Sequence, residues 1–492
     1  MAGLMLGMRP ISMLLAIVLV RLLAPADFGL LALAMIIFNT SNLVTDMGMS
    51  PAIVQTKHDI EKVAHYAFVL IMLTSVTVTG LIIYFAPPLA RFLGGGADLV
   101  PVLRWMSIYV IVDGLWTVPE ALLKRELKFK QLGLSQIPAE LAYLFIAIPL
   151  AMAGFGVWSL VIGHVLGQVL RTMLLWAYHR PWIWLRPQKW DPVVVKSLLR
   201  FGTPTMAGGA LRFVQSQTDT WLVGRNFSTT FVGFYDKAYT LTGRMAKMLT
   251  NTIFGNVLFP SYSKMQGDRE RLKRAYLKST KMVLLMMVPV SIGLAATAPL
   301  LVPVLLGQQW APMIPVWQIF SIFGLTWAVS ANSSPIFLAL GQPTRNITAS
   351  TVYLIVMIPA ALLLMGPYGI SGVAIAVSLG HVVTVLFNIF QVNQVLPGTA
   401  RGTFINSLPF VAVGGVMGVS IYLLQPLIVE ALGGPSAISL VVVILVAALI
   451  YGAMTLLLQR ALVVEIVELF IKVVGIDRRW PKLVPARLRT TK

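Results

Sequence analysis

Residues 269–306 read RERLKRAYLKSTKMVLLMMVPVSIGLAATAPLLVPVLL. Six basic side chains, Arg269, Arg271, Lys273, Arg274, Lys278 and Lys281, precede a run from Met282 to Leu306 with no Asp, Glu, Lys or Arg. A run of that length is enough to cross a bilayer as a helix, which takes about 20 apolar residues. The gap after it, Leu306 to Gln309, has no Lys or Arg. Elsewhere Lys124, Arg125, Lys128 and Lys130 fill one gap, whereas Gly366 to Gly372 holds none. Basic loops in alternate gaps mark a multi-span inner-membrane protein whose basic loops face the cytoplasm.

The rest of the composition agrees. The chain has 492 residues, 57% hydrophobic and 11% charged, with a mean hydropathy of +0.82. Its net charge of +20 would suit nucleic acid if it were spread over a surface. Packed into short loops beside apolar runs, it suits topology and anionic lipid headgroups, and no nucleic-acid partner is expected. The absence of Cys excludes thiolate catalysis and Cys metal sites. No cleavable leader is read, because the first apolar run continues past Val20 into Arg21 with no small-residue cleavage pattern.

Apolar runs of spanning length fall near Leu4–Leu23, Phe28–Val44, Ala64–Leu89, Leu99–Thr117, Leu132–Met152, Val157–Trp176 and Thr205–Val223. A second set falls near Tyr239–Leu258, Met282–Leu306, Ile314–Phe337, Ile347–Met365, Ile370–Val392, Phe404–Leu424 and Ala437–Leu457. Each is apolar all round, as a helix in lipid must be, rather than alternating as a barrel strand would. The fold class is therefore an all-α integral membrane protein of about fourteen spans. Basic gaps follow even-numbered spans, which puts both termini in the cytoplasm. Trp176, Tyr178, Trp182, Trp184 and Trp190 flank the longest central loop as expected interfacial anchors. The tail mixes Val464, Val467, Phe470 and Ile471 with Glu465, Glu468 and Lys472, then ends in a basic cluster. That pattern suits a helix on the cytoplasmic leaflet, with a disordered end equally compatible.

The halves resemble each other. Arg21, Gly29 and Ala34 repeat as Arg225, Gly233 and Ala238, each 204 positions on (21 and 225, 29 and 233, 34 and 238). Gly156 and Gly167 repeat as Gly369 and Gly380, and Pro119 and Pro335 each close a fourth span. A duplication of six spans follows, with copies of one orientation about an axis along the membrane normal. The expected domains are an N-terminal six-helix bundle over 1–190 and a C-terminal one over 191–400. Two additional helices follow over 401–460, then a basic cytoplasmic tail over 461–492.

Ionisable groups inside spans are costly and are read first as functional. Arg9 and Arg212 lie in the first spans of the two halves. Arg244 and Lys247 lie three residues apart on one face of the eighth. Guanidinium pairs of donors match phosphate oxygens, so these four form a candidate cationic cavity. The alternative for Arg9 and Arg212 is snorkelling to headgroups. Asp219, Asp113 and Glu140 are candidate ion-pair or coupling acids, with a structural link the preferred role for Asp219. His164 and His381 are read as buried structural histidines, and Asp27 after Pro25 as an N-cap. Walker loops, metal-ligand spacing and a large outside loop for glycosyl transfer are all missing from the sequence, so neither an enzyme nor a cofactor is expected.

The stretch Arg21-Leu22-Leu23-Ala24-Pro25-Ala26-Asp27-Phe28-Gly29-Leu30 resembles a signature of the bacterial polysaccharide exporters. These are the lipid-linked oligosaccharide flippases of the multidrug/oligosaccharidyl-lipid/polysaccharide superfamily. Asp46-Met47-Gly48-Met49-Ser50-Pro51-Ala52 with Gln55 resembles that family's second-span exit. Leu122-Leu123-Lys124-Arg125 with Leu127 and Phe129 resembles the loop after its fourth span, and Asp219, Gly224, Gly233 and Tyr235 resemble the start of its second half. Only eight residues precede Arg9, fewer than the family usually has. The resemblance makes Arg21, Asp27, Phe28, Gly29, Asp46 and Gly48 structural motif residues. It implies an undecaprenyl-pyrophosphate-linked oligosaccharide as the moved partner, with membrane lipids and the pathway's polymerase and chain-length proteins as further partners. Three other readings stay open: a cation-coupled drug exporter of the same fold, a membrane polysaccharide polymerase, and a structural scaffold for a biosynthetic complex.

Overall fold

The computed structural model describes residues 12, 14–179, 182–189, 191–250 and 258–474. A short helix over 14–22 (α1) leads into α2 (Pro25–Asp46), α3 (Met49–Gln55), α4 (Ile60–Leu93), α5 (Gly96–Arg125), α6 (Phe129–Met152), α7 (Val157–Tyr178) and α8 (Trp182–Leu185). Then come α9 (Pro192–Asn226), α10 (Thr229–Thr250), α11 (Leu258–Ser263) and α12 (Arg269–Leu306), followed by a 3-10 turn over Gln308–Met313. The chain finishes with α13 (Ile314–Ala339), α14 (Thr344–Val395), α15 (Thr399–Ala431) and α16 (Ala437–Val474). Nine helices among the described residues are long and apolar enough to cross a membrane. Each expected span from the second to the fourteenth overlies a helix, the eighth as far as Thr250. That span begins earlier than its apolar run: α10 starts at Thr229, because polar residues can sit on a spanning helix that faces other helices.

Local chemistry sets the breaks. Pro25, which has no N–H to leave unpaired, opens α2, and the Ala24 N–H donates to Asp27 Oδ2 at 3.0 Å. Ala24 is thus the cap residue, and Asp27 acts from the third helical position, not as the N-cap expected from sequence. Met47 (φ 46°) and Gly48 (φ 72°) are both left-handed and end α2. The Ser50 N–H then donates to Asp46 Oδ1 at 3.1 Å, which opens α3. At the other end of α3, Arg125 Nη1 donates to the carbonyls of Ile53, Val54 and Thr56 at 2.9, 3.1 and 2.9 Å. One guanidinium from the basic loop thereby satisfies the orphan carbonyls of a helix end.

By contact the chain forms two compact units. The first comprises residues 1–239, 305–316 and 354–377. Its core near the basic loops gathers Met49, Ile53, Tyr66, Ile71, Leu122 and Leu198 around a fully buried Trp184. Trp184 is therefore a core residue and not an interfacial anchor. Its ring lies 5.3 Å from His179 and 6.4 Å from Trp176, and its carbonyl oxygen contacts His65 Nδ1 at 2.8 Å. Trp190 and the Trp182 side chain lie outside the described residues.

The second unit comprises residues 240–304, 317–353 and 378–492. A buried polar node ties three of its helices: Asn332 Nδ2 donates to Thr280 Oγ1 (2.7 Å) and Ser279 Oγ (2.9 Å), and Tyr262 Oη donates to Asn332 Oδ1 (2.7 Å). Gly414 and Gly418 on α15 face α12, where an added Cβ would meet Val288 and Ile292 side chains at 2.4–2.6 Å. Small residues at four-residue spacing let two membrane helices approach closely.

The duplication is visible in backbone angles. Gly156, before α7, has φ 52° and ψ −132°; Gly369, at the kink inside α14, has φ 58° and ψ −139°. These two glycines occupy matching turns, in a region that L side chains all but avoid. The kink divides α14 into two helices, one for each of the two expected spans.

Candidate transport site

The signature residues around Arg21–Gly29 and their copies at Arg225–Gly233 meet each other within the first unit. A Cβ on Gly29 would fall 1.8 Å from the Thr229 carbonyl oxygen, and one on Gly233 would fall 1.8 Å from the Pro25 carbonyl oxygen. Thr229 stands to Pro25 as Gly233 does to Gly29, 204 positions on. The contact is therefore reciprocal, as a twofold relation demands. Each first turn is also clasped by a later turn. Gly94 packs on Gly224 and Arg225, and Arg225 Nη1 donates to the Arg91 carbonyl at 3.0 Å. On the other copy, Gln309 Nε2 donates to the carbonyls of Arg21 and Leu23 at 3.2 Å each, and Trp310 Nε1 to that of Val20 at 3.0 Å. The buried Phe28 ring rests edge-on to Trp310 at 5.7 Å, with Lys237 Nζ 4.4 Å from its centroid. The roles of Phe28 and Gly29 follow: one fills this lock and the other lets the backbones touch. At the opposite end of α2, Gly48 serves α9 similarly, since its Cβ would meet the Gly202 carbonyl at 2.5 Å.

A second cluster lies among α2, α5 and α7. Arg171 Nη2 contacts Glu120 Oε2 at 2.9 Å, Lys124 contacts Glu120 Oε1 at 2.5 Å, and the Arg171 guanidinium stacks 3.9 Å from the Trp116 ring. One carboxylate thus balances two cations in a half-buried pocket. Asp113 is buried, and the Asn42 amide, correctly oriented, donates to its Oδ2 at 3.2 Å. Asp113 Oδ1 has no hydrogen bond among the described residues. His164 packs against the rings of Tyr109 (5.0 Å) and Tyr143 (6.1 Å), and its Nε2 likewise has none. Arg171 carries no role in the sequence reading; its signal was a basic residue two helical turns before Tyr178, near enough to the helix end to pass for a headgroup contact.

The candidate cations are placed unevenly. Arg212 is exposed on α9. Arg9 lies outside the described residues, as do the side chains of Arg244 and Lys247, whose backbones belong to α10. Asp219 is buried two turns beyond Arg212 on α9; Tyr235 Oη donates to its Oδ2 at 2.8 Å, and its Oδ1 makes no hydrogen bond among the described residues. Glu140 is exposed on α6, where Gln136 Nε2 of the same helix donates to its Oε1 at 2.9 Å. Asp113 and Glu120 are brought near one another, and Glu140 is not part of their cluster. Among the described residues no group of His, Cys, Asp or Glu could hold a metal ion.

Spanning helices, matching glycine turns and buried charges define a multi-pass membrane protein with the fold of the multidrug/oligosaccharidyl-lipid/polysaccharide superfamily transporters. An inward closed structure of lipid II flippase MurJ superposes with a TM-score of 0.77 at 15% identity, over 94% of this chain and 99% of that one. An inward-facing multidrug resistance MATE transporter gives 0.66 at 17% identity, over 79% and 96%. The chain belongs to the polysaccharide biosynthesis protein family, whose pattern matches residues 18–315. It is 24% identical over 401 residues to lipopolysaccharide biosynthesis protein WzxC of Escherichia coli (strain K12), covering 80% of this chain and 79% of that one. It is 27% identical over 307 residues to succinoglycan biosynthesis transport protein ExoT of Rhizobium meliloti (strain 1021), covering 62% and 61%. Its class is transporter and not enzyme, in line with these relatives.

Proposed function

We propose that this protein flips an undecaprenyl-pyrophosphate-linked oligosaccharide repeat unit from the cytoplasmic to the periplasmic leaflet of the inner membrane, for exopolysaccharide or lipopolysaccharide synthesis. The observation that carries the reading is the reciprocal glycine lock, set in a chain of the polysaccharide biosynthesis family. A twofold contact of two first turns is a gate that can part symmetrically, as alternating access between bundles at 1–190 and 191–400 requires. The diphosphate would be met by Arg9, Arg212, Arg244 and Lys247, whose charge offsets its desolvation. Asp113 and Asp219, each with an unpaired buried oxygen, are the candidates for a coupling ion. The helices over 401–460 and the tail after 461 stand outside the repeat.

The test is a deletion strain carrying a leaflet-selective label for lipid-linked repeat units. Units accumulating on the inner leaflet, with surface polymer lost, support the flippase. Unpolymerised units already facing the periplasm would instead identify a polymerase.

A further inference from the structure

Among the described residues, two that are not glycine hold a positive φ: Met47 at 46° and Leu127 at 56°. Left-handed backbone crowds the Cβ of an L residue, so a helix end of this kind usually takes glycine. Met47 has a packing reason, because its half-buried side chain rests on the core around Trp184. Leu127 has no such reason. It is 72% exposed, and Phe129, two residues on, is 59% exposed. The turn that carries them is braced. The Leu127 N–H donates to the Lys124 carbonyl at 3.1 Å and the Lys128 N–H to that of Leu123 at 2.9 Å, the paired bonds of a Schellman helix end. Arg125 ties the turn to the end of α3, and Glu126 Oε1, 3.2 Å from His179 Nε2, ties it to the end of α7. A rigid, strained turn thus holds a leucine outward beside a phenylalanine.

We propose that this turn is a docking site for anionic phospholipid, with Leu127 and Phe129 entering the leaflet that the basic loops face and the lysines beside them meeting headgroup phosphates. The turn joins α5 and α6, both long and apolar enough to span, so its tip stands where a bilayer surface must lie. Its charge complements that surface: residues 124–130 hold Lys124, Arg125, Lys128 and Lys130 against Glu126 alone. Lys124 and Lys128 are paired with Glu120 and Glu126 at 2.5 and 2.6 Å. Lys130 is exposed, and no carboxylate pairs with it among the described residues. Lys57, also exposed, follows Thr56, whose carbonyl accepts from Arg125 at 2.9 Å. Apolar side chains sunk to the acyl boundary, with cations above them, hold a segment on an anionic leaflet. A cytosolic protein fits less well, since two side chains fall far short of the roughly 1,200 Å² that a stable protein contact buries. The site does not depend on what the chain transports.

The chain has no Cys, so Phe129→Cys carries a single nitrobenzoxadiazole label on the full chain in lipid nanodiscs. Phosphatidylglycerol and phosphatidylcholine, each with a nitroxide high on the acyl chain, serve as separate quenchers. Quenching is expected from both, and more from phosphatidylglycerol at equal mole fraction. Lys130→Gln should reduce that preference by up to about fivefold, the weight of one cation at an anionic surface. The same label at Phe155→Cys should show no preference, since Phe155 is 50% exposed on the α6–α7 turn, where residues 153–156 carry no charge. Leu127→Gly gives the second reading. Glycine takes the left-handed turn freely, so this variant should unfold in detergent at or above the wild-type temperature. Its label at position 129 should nevertheless be quenched less by both lipids, because the tip sits shallower. A label left in water by every lipid, as a tip reserved for a cytosolic protein would be, overturns the proposal. So do equal quenching by the two lipids, unchanged quenching in Leu127→Gly, and a Leu127→Gly protein that unfolds earlier than the wild type.

Discussion

At the scale of single residues, the positions that matter most are those where a missing or added atom has nowhere to go. Gly29→Ala would place a methyl group against a backbone oxygen rather than a movable side chain. We expect it to cost about 1–3 kcal/mol or more, as core overpacking does, seen as a lower unfolding temperature in detergent. Gly80→Ala, whose Cβ would meet nothing within 4 Å, should leave that temperature unchanged. Arg171→Ala leaves Glu120 with Lys124 alone and Trp116 without its stacked cation. A loss of about 3 kcal/mol is expected, the scale of a broken buried pair, and Arg171→Lys should recover only part of it because an ammonium lacks the fork. Arg171 escaped the sequence reading because a lone Arg near a helix end looks like a headgroup contact. Only the spatial approach of Glu120, 51 residues earlier, gives it a partner. The burial of Asp113, by contrast, is legible, since its carboxylate stands deep in an apolar run.

At the scale of elements, turns carry the information that hydropathy lacks. The apolar runs located almost every helix, including the two that meet at the Gly369 kink inside α14, yet they could not show that α10 begins ten residues before its apolar run. Periodicity reports what faces lipid; it is silent about helices that face other helices. The α5–α6 turn gives a pH prediction. Burial pushes the Glu126 carboxyl up, but bonds from Lys128 (2.6 Å) and His179 (3.2 Å) outweigh it and hold it below its ordinary 4.5. A carboxyl lowered by folding stabilises the fold above its unfolded value and loses that contribution as pH falls through the lowered one. The protection factor against hydrogen exchange at residues 126–130, corrected for the intrinsic pH dependence, should therefore be constant above pH 4.5 and fall below it. Glu126→Gln should abolish that acid limb. The two matched glycines make a sharper contrast. Both sit where L residues are strained, by about 1–3 kcal/mol, but a Cβ at Gly156 would also meet Asp27 Oδ1 at 3.1 Å, whereas at Gly369 it would meet nothing within 4 Å. Gly156→Ala should lower the unfolding temperature more than Gly369→Ala.

At the scale of the whole molecule, the repeat is the organising fact, because it turns one short signature into both sides of a contact. Read in sequence, Arg21–Gly29 and Arg225–Gly233 were two copies of a motif; in space they are one interface meeting itself. If that interface is the gate of alternating access, holding it shut must stop transport without unfolding the protein. The chain has no Cys, so an engineered pair reports without background. Gly307 offers the second partner, since its added Cβ would lie 3.9 Å from Arg21 Cγ, about where the sulfur of a cysteine at position 21 would stand. Arg21→Cys with Gly307→Cys should cross-link under mild oxidant, silence polymer export in cells, and recover on reduction, while either single variant keeps exporting throughout. A cross-linked protein that still exports would show that this face never needs to open, and the lock would then be a permanent brace between the two copies of the motif.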